Sequence, residues 1–199
     1  HDCYGGEHDH YDRLGISYEA FGKRIAPDLG TTGYGALMHY DYYKNTGSHN
    51  TVNIEGNNQA PVNGVLTKWE ENDGILCLEA KADWTVPYKM PDSFTIVQWD
   101  EDAYRTVTMK RTILWAQEWF AEVFFVDGIP QGKTADWVMH FSGSVVNKPS
   151  GEEIACFSDK KPYKHLHSMI KLQTENTKKN AVQTIYRDDD VLTWVYGMD

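Results

Sequence analysis

A two-residue alternation of apolar and polar side chains, broken by turn residues about every ten positions, constrains this chain more than any other feature. A strand shows successive side chains to opposite faces, so this rhythm suits half-buried strands and gives a helix no continuous apolar stripe. Gly15 to Pro27 predicts a hairpin turning at Gly22–Lys23, and His49 to Gly56 predicts a strand. Val65 to Lys81 predicts a second hairpin around Asn72–Asp73–Gly74, because Asp-Gly tolerates the positive φ of a tight turn. Consecutive antiparallel strands are expected over 94–99, 105–115, 119–126 and 136–141. Shorter ones follow over 153–157, 170–174, 182–186 and 192–196. The expectation is therefore an all-β fold, an antiparallel β-sandwich, in one domain spanning 1–199. The exception to the rhythm is Gly30 to Ser48, read as a long loop carrying four Gly and four Tyr; loops of that length are usually functional or disordered.

The formal charge of −10, from 29 acidic and 19 basic residues, argues against nucleic acid or an anionic membrane as partner. It is also a poor match for a heavily sulfated polyanion. No apolar run is long enough to cross a bilayer as a helix. The chain begins at His1 without a charged-then-apolar leader, so it is expected to be a processed product or an excised piece, with any signal peptide upstream. The three cysteines form no CxxC pair; Cys77 and Cys156 lie in strand-like runs and are expected as core thiols. Trp115, Trp119, Trp137 and Trp194, at strand spacing, are likewise expected in the core rather than as sugar platforms.

Chemistry concentrates in the first fifty residues. His8-Asp9-His10 reads as a strand, which would put both imidazoles on one face roughly 6–7 Å apart. Asp28 follows the next strand and His49 opens the one after the loop. Two imidazoles and a carboxylate on neighbouring strands suit a tetrahedral Zn²⁺ with one position open or water-filled. The alternative is that His10, Asp28 and His49 are hydrogen-bonded pairs that tie strands together. A second HxH, His165 and His167, has no accompanying carboxylate or third His in a matching motif.

The run GGEHDHYDRLGISYEAFGKRIAPDLGTTGYG, followed by YYKNTGSHNTVNIEGNNQ, resembles the heparinase II/III superfamily of polysaccharide lyases. Its pattern is close to GG-x-H-x-H-x-D-x-L, a short hairpin, PD-x-G, a Tyr, and T-x-x-HNTV-x-x-x-G-x-x-Q. These elements occur in order over residues 5–59, and a basic strand ending RTIL, then VDG and DWVMHFSG around His140, extends the likeness to residue 143. The resemblance implies that His10, Asp28 and His49 are ligands of a mainly structural zinc. It implies that His8 sits in the catalytic cleft and that Tyr34 lies where some relatives place a catalytic tyrosine, with Tyr40, Tyr42 and Tyr43 as competitors. Asp12 and Gln59 also match motif positions, Asp12 read as orienting a ligand histidine and Gln59 as fixing the HNTV strand. In this family an α/α-barrel precedes the β domain and supplies an Asn or His and a Tyr; no such helical segment stands in these 199 residues, so the barrel is the expected missing partner.

The implied reaction is β-elimination on a uronic-acid-containing polysaccharide, a glycosaminoglycan such as heparan sulfate, or alginate. A base takes the C5 proton and an acid protonates the departing O4. His8 is the candidate base or charge stabiliser and Tyr34 the candidate proton donor. Such an enzyme is expected to be secreted or periplasmic. The competing reading is a non-catalytic carbohydrate-binding or structural β-module.

Overall fold

The computed structural model describes residues 8–33, 35–87, 99–147, 150–172 and 182–197. A short hairpin of β1 (Tyr18–Ala20) and β2 (Lys23–Ala26) comes first, turning at Phe21–Gly22 with both residues at positive φ. Helical turns at His39–Tyr43 and Thr46–Ser48 lead into β3 (Val52–Ile54). The hairpin β4 (Gly64–Asn72) and β5 (Ile75–Asp83) turns through Asp73 and Gly74, again at positive φ. A single turn, α1 (Glu101–Tyr104), capped by the Asp100 carboxylate accepting from Ala103 N at 3.0 Å, precedes β6 (Thr108–Trp115), β7 (Phe120–Asp127) and β8 (Ala135–Trp137). The rest comprises β9 (Ser144–Val145), β10 (Glu152–Ile154), β11 (Met169–Lys171), β12 (Val182–Asp188) and β13 (Val191–Gly197).

The fold is an antiparallel β-sandwich, as the alternation predicted. Its largest sheet has the order β4-β5-β6-β7, a meander of consecutive hairpins, beside a three-stranded sheet β13-β12-β9 and the pairs β3-β8, β1-β2 and β10-β11. In β6 and β7 the register Met109↔Val126, Arg111↔Phe124, Ile113↔Glu122 puts one set of alternate residues on the inner face. Against that face lie Val52 and Ile54 of β3, with Ala60, Val62, Ala82, Trp84, Tyr104, Val107 and Met109 completing the buried cluster. Burying a side chain such as Ile54 contributes about 1.5–3 kcal/mol, which makes this apolar layer the main stabiliser of the sheet packing.

The segments that carry the chemistry are held differently, by buried polar side chains. The Arg111 guanidinium reaches through the core layer to the carbonyls of Leu14 at 2.5 Å and Asn50 at 2.6 Å, and pairs with Glu122 at 2.7 Å. Gln59 accepts from Arg13 N at 2.7 Å and donates to Val52 O at 3.0 Å, which fixes the start of β3 as its motif position implied. Asn50 donates towards the carbonyls of Ile16, Ala26 and Pro27 at 2.9, 3.4 and 3.1 Å, and its Oδ1 accepts from His140 N at 2.7 Å.

Several expectations change. No strand forms at His8 to His10: the Arg13 side chain bonds the Asp9 carboxylate at 2.8 Å and His10 O at 3.3 Å, curling the segment on itself. The strand expected from His49 begins only at Val52, because the Thr51 backbone N–H turns back to His49 O at 3.0 Å instead of joining a ladder. The stretch 30–48 is partly helical; Lys44 N bonds His39 O at 2.9 Å in a wide turn. Trp115, Trp119, Trp137 and Trp194 are 42–51% exposed rather than core, since they stand at strand ends or beyond the covered part of a face. Cys77 is half-buried on the outer face of β5, and Cys156 is exposed in the chain after β10. The strand expected at 94–99 and Tyr34 fall wholly or largely outside the described residues.

Candidate metal centre

Three loops converge at the exit of the β1–β2 hairpin. Asp28 follows β2 and closes an Asx turn, its Oδ1 accepting from Gly30 N at 2.8 Å. That turn aims Oδ2 at His49 Nδ1, 2.8 Å away. His49 is 1% exposed, and its Nε2 is buried with no hydrogen-bond partner. The ring of His10 stands against that of His49, centroids 5.2 Å apart, and against that of His39 at 5.7 Å. His39, fully buried at the start of its wide turn, meets the Thr31 hydroxyl through Nδ1 at 2.8 Å.

The sequence-predicted ligands His10, Asp28 and His49 are thus neighbours, drawn from residues 39 positions apart in the chain. The tightest set of ligand-type atoms is slightly different: Asp12, Asp28 and His49 have one each, all within 4.8 Å of one another. Tetrahedral Zn²⁺ with bonds near 2.0–2.2 Å needs ligand atoms about 3.4 Å apart, so modest side-chain rotation brings the set to bonding distance. Asp12 enters as a potential oxygen donor, beyond the orienting role read from its motif position. His8 is exposed at the turn leading to His10, and Tyr34 lies outside the described residues.

The electrostatics keep His10 and Asp28 in metal-ready forms. Burial, then the neighbouring His49 ring, holds the His10 imidazole down to about 4, so it is neutral at physiological pH. For Asp28 burial pushes the carboxyl up, but the hydrogen bond and charge of His49 and the Gly30 amide outweigh it, leaving it below the ordinary carboxylate range. A neutral imidazole at His10 and an ionised carboxylate at Asp28 are the protonation states that ligate. A donor set of nitrogen and oxygen, with a buried orphan ring nitrogen, fits a divalent cation of the zinc type better than a hard, all-oxygen one.

Sequence reasoning missed two participants. His39 was one residue of an unpatterned loop. His140 was noticed only inside DWVMHFSG, with no role, and no local spacing ties it to Asn50 ninety residues earlier. Yet its backbone N–H donates to Asn50 Oδ1 at 2.7 Å, and burial holds its imidazole below the ordinary histidine range.

A family model described as heparinase II/III-like, C-terminal, matches residues 2–196. No curated protein matches the chain.

Proposed function

Because the chain belongs to the heparinase II/III-like C-terminal family, we propose that it is the metal-bearing domain of a polysaccharide lyase that cleaves uronic-acid polymers by β-elimination. The family itself points to polysaccharide lyases. What carries the finer reading is the coincidence of the family match with a His–Asp cluster at the motif positions, its His49 buried and its two aspartates half-buried.

His10, Asp28 and His49 would hold a zinc ion, with Asp12 beside them. Bound there, the ion braces three loops that have little regular structure of their own. The chemistry falls to other side chains. His8, exposed two residues from His10, takes the C5 proton of the uronate. As the C4–O4 bond breaks and the C4–C5 double bond forms, Tyr34 returns a proton to the leaving O4. Neutralising the uronate carboxylate and completing the cleft are tasks for an upstream α/α-barrel, so the chain by itself is expected to be inactive. The net charge of −10 disfavours the most heavily sulfated substrates. Uronate polymers are extracellular, and the protein is placed outside the cytoplasm on that ground.

A non-catalytic glycan-binding module is the second reading. It is favoured by the exposed indoles of Trp69, Trp119 and Trp194, at 64%, 47% and 51%. One experiment separates the two. The full-length protein is incubated with heparan sulfate, chondroitin sulfate, hyaluronan and alginate, and the ultraviolet absorbance of the unsaturated product is followed. Turnover on any of them supports the lyase; binding with no product on all four supports the module.

A further inference from the structure

We propose that Lys161 and Lys164, with Tyr42 and His165 beside them, form a subsite that holds the carboxylates of an acidic polysaccharide. This rests on the uronate-polymer reading above and names where such a chain is gripped.

The segment 160–167, KKPYKHLH, stands out in a chain of net charge −10, because it carries three Lys and two His and no acid. Both Lys161 and Lys164, on either side of Pro162 and Tyr163, reach one carboxylate, that of Asp41 in the wide turn His39–Tyr43. Lys161 Nζ lies 2.5 Å from Asp41 Oδ1, and Lys164 Nζ lies 3.6 Å from Oδ2. The two ammoniums thus meet across a single carboxylate, and the bond from Lys161 holds the Asp41 carboxyl below the ordinary carboxylate range. Two positive charges against one negative leave a positive surplus at the surface. Lys160 adds to it, its Nζ tied to Asn57 Oδ1 at 2.9 Å.

That surplus is accessible and already restrained. The side chains of Lys161 and Lys164 are 49% and 40% exposed, and an ammonium carries three donors, so each can still donate to an oxygen arriving from solvent. Ordering a free lysine costs rotamer entropy; Asp41 has restrained both beforehand, so binding loses less. Aromatic rings complete the surface. The Tyr42 ring meets that of His165 edge-on, centroids 5.8 Å apart, and that of Tyr43 at 5.3 Å. A tyrosine offers an apolar body and a polar tip, which suits the mixed face of a sugar ring. Cations beside aromatics therefore fit a uronate chain better than a small free anion, which has no apolar face to cover. The position fits as well. The turn that supplies Asp41 and Tyr42 starts at His39, whose ring stands 5.7 Å from that of His10, so the subsite shares a turn with the candidate metal centre. In so acidic a chain, an acidic polymer can be held only by such a local concentration of positive charge.

The test measures binding of a mannuronate hexamer and a neutral glucose hexamer by calorimetry at physiological salt. Three chains are compared: wild type, Lys161→Ala/Lys164→Ala, and Lys68→Ala/Lys110→Ala. The last removes the same charge from the four-stranded sheet, where Lys68 pairs with Glu70 and Lys110 with Glu79. Wild type and this control should bind the uronate hexamer and leave the glucose hexamer unbound. Lys161→Ala/Lys164→Ala should bind the uronate roughly tenfold more weakly or worse. Unchanged affinity in that variant, equal weakening in both double variants, or no uronate binding by wild type would each overturn the subsite. The lyase reading stands or falls separately, on unsaturated product from the full-length protein. Should Lys161→Ala/Lys164→Ala misfold, acetylation of the wild-type lysines, read by mass spectrometry, decides the matter. The uronate hexamer should shield Lys161 and Lys164 but not Lys68 and Lys110, and labelling indifferent to the hexamer refutes the subsite.

Discussion

Asn50 is where the candidate site can be tested without reference to metal or activity. Its side chain is fully buried and works in both directions: Nδ2 faces the carbonyls of Ile16, Ala26 and Pro27 at 2.9–3.4 Å, and Oδ1 takes the His140 amide at 2.7 Å. Truncation to Ala orphans one buried N–H and up to three carbonyls. At about 1–3 kcal/mol for each group left dry, with some carbonyls recovering water, Asn50→Ala should lose about 3 kcal/mol. Asn50→Asp keeps the shape and the acceptor for His140 but turns the donor into an oxygen facing three other oxygens. A carboxylate there is either buried and repelled or forced to bind a proton at neutral pH, and each pKa unit of that shift costs about 1.4 kcal/mol. The near-isosteric Asp should therefore be worse than Ala at pH 7, by about 1–3 kcal/mol.

The sign with pH is fixed by the same reasoning. The folded pKa of the introduced carboxyl lies above its unfolded value, so its penalty is present at neutral pH. The penalty shrinks as pH falls through the folded pKa, where the protonated group can donate to a carbonyl. Urea unfolding at pH 7 and pH 5, read as a change of midpoint at constant m-value, measures both effects. An Asp variant as stable as Ala, or a gap indifferent to pH, would refute the assignment of Nδ2 to the three carbonyls.

Arg111→Ala strips a buried ion pair with Glu122, whose partners are 2% and 8% exposed, and should cost about 3–5 kcal/mol by urea unfolding. Arg111→Met combined with Glu122→Leu should recover most of that loss, because no charge is then left buried alone. Gly47→Ala must displace Pro162 or Tyr163 and should lower stability by about 1–3 kcal/mol, seen as a lower thermal midpoint. In the full-length enzyme, His8→Ala should reduce turnover by roughly 10²–10⁴ while the unfolding midpoint barely moves, since His8 is exposed. A His8 variant that retains turnover would transfer the base to another side chain.

How much of this was legible in the sequence follows from how local each signal is. The hairpins β1–β2 and β4–β5 were readable because a turn dipeptide and its flanking alternation lie within a few residues. The grouping of His10, Asp28 and His49 came from the family motif; spacing alone left the hydrogen-bonded alternative open, and the 2.8 Å Asp28–His49 contact shows why. The strand assigned to His8–His10 failed because Arg13 bonds back to Asp9 and His10, a side-chain event no periodicity records. The tryptophans misled for a related reason. Alternation tells which face a residue takes but not how far the opposing layer extends, and Trp115 lies past its edge on the inner face of its sheet. His140 was invisible as a partner because its tie to Asn50 spans ninety residues.

The region around His49 is unusual in what it buries. From Lys44 to Asn53 nearly every side chain is polar, and nearly every one is shielded from water. Such a segment is unfavourable to fold unless each donor and acceptor finds a partner, because an unpaired buried polar group costs more than a paired one contributes. Here the pairing is dense: Asn45 to Tyr40 O, Ser48 to Asn45 O, Asn50 to Pro27 O, Thr51 to Arg13 O, Asn53 to the Tyr163 hydroxyl. The first two bonds fold the segment on itself and the last three tie it to distant chain, so shifting the segment breaks several at once. An apolar core tolerates small slips of its side chains with a gradual loss of contact; a satisfied polar network does not. The Nε2 atom of His49, buried without a hydrogen-bond partner in that network, is therefore held to a fixed position in space. That is what a ligand site requires: donors whose geometry is set before the ligand arrives, so that binding loses little to ordering them.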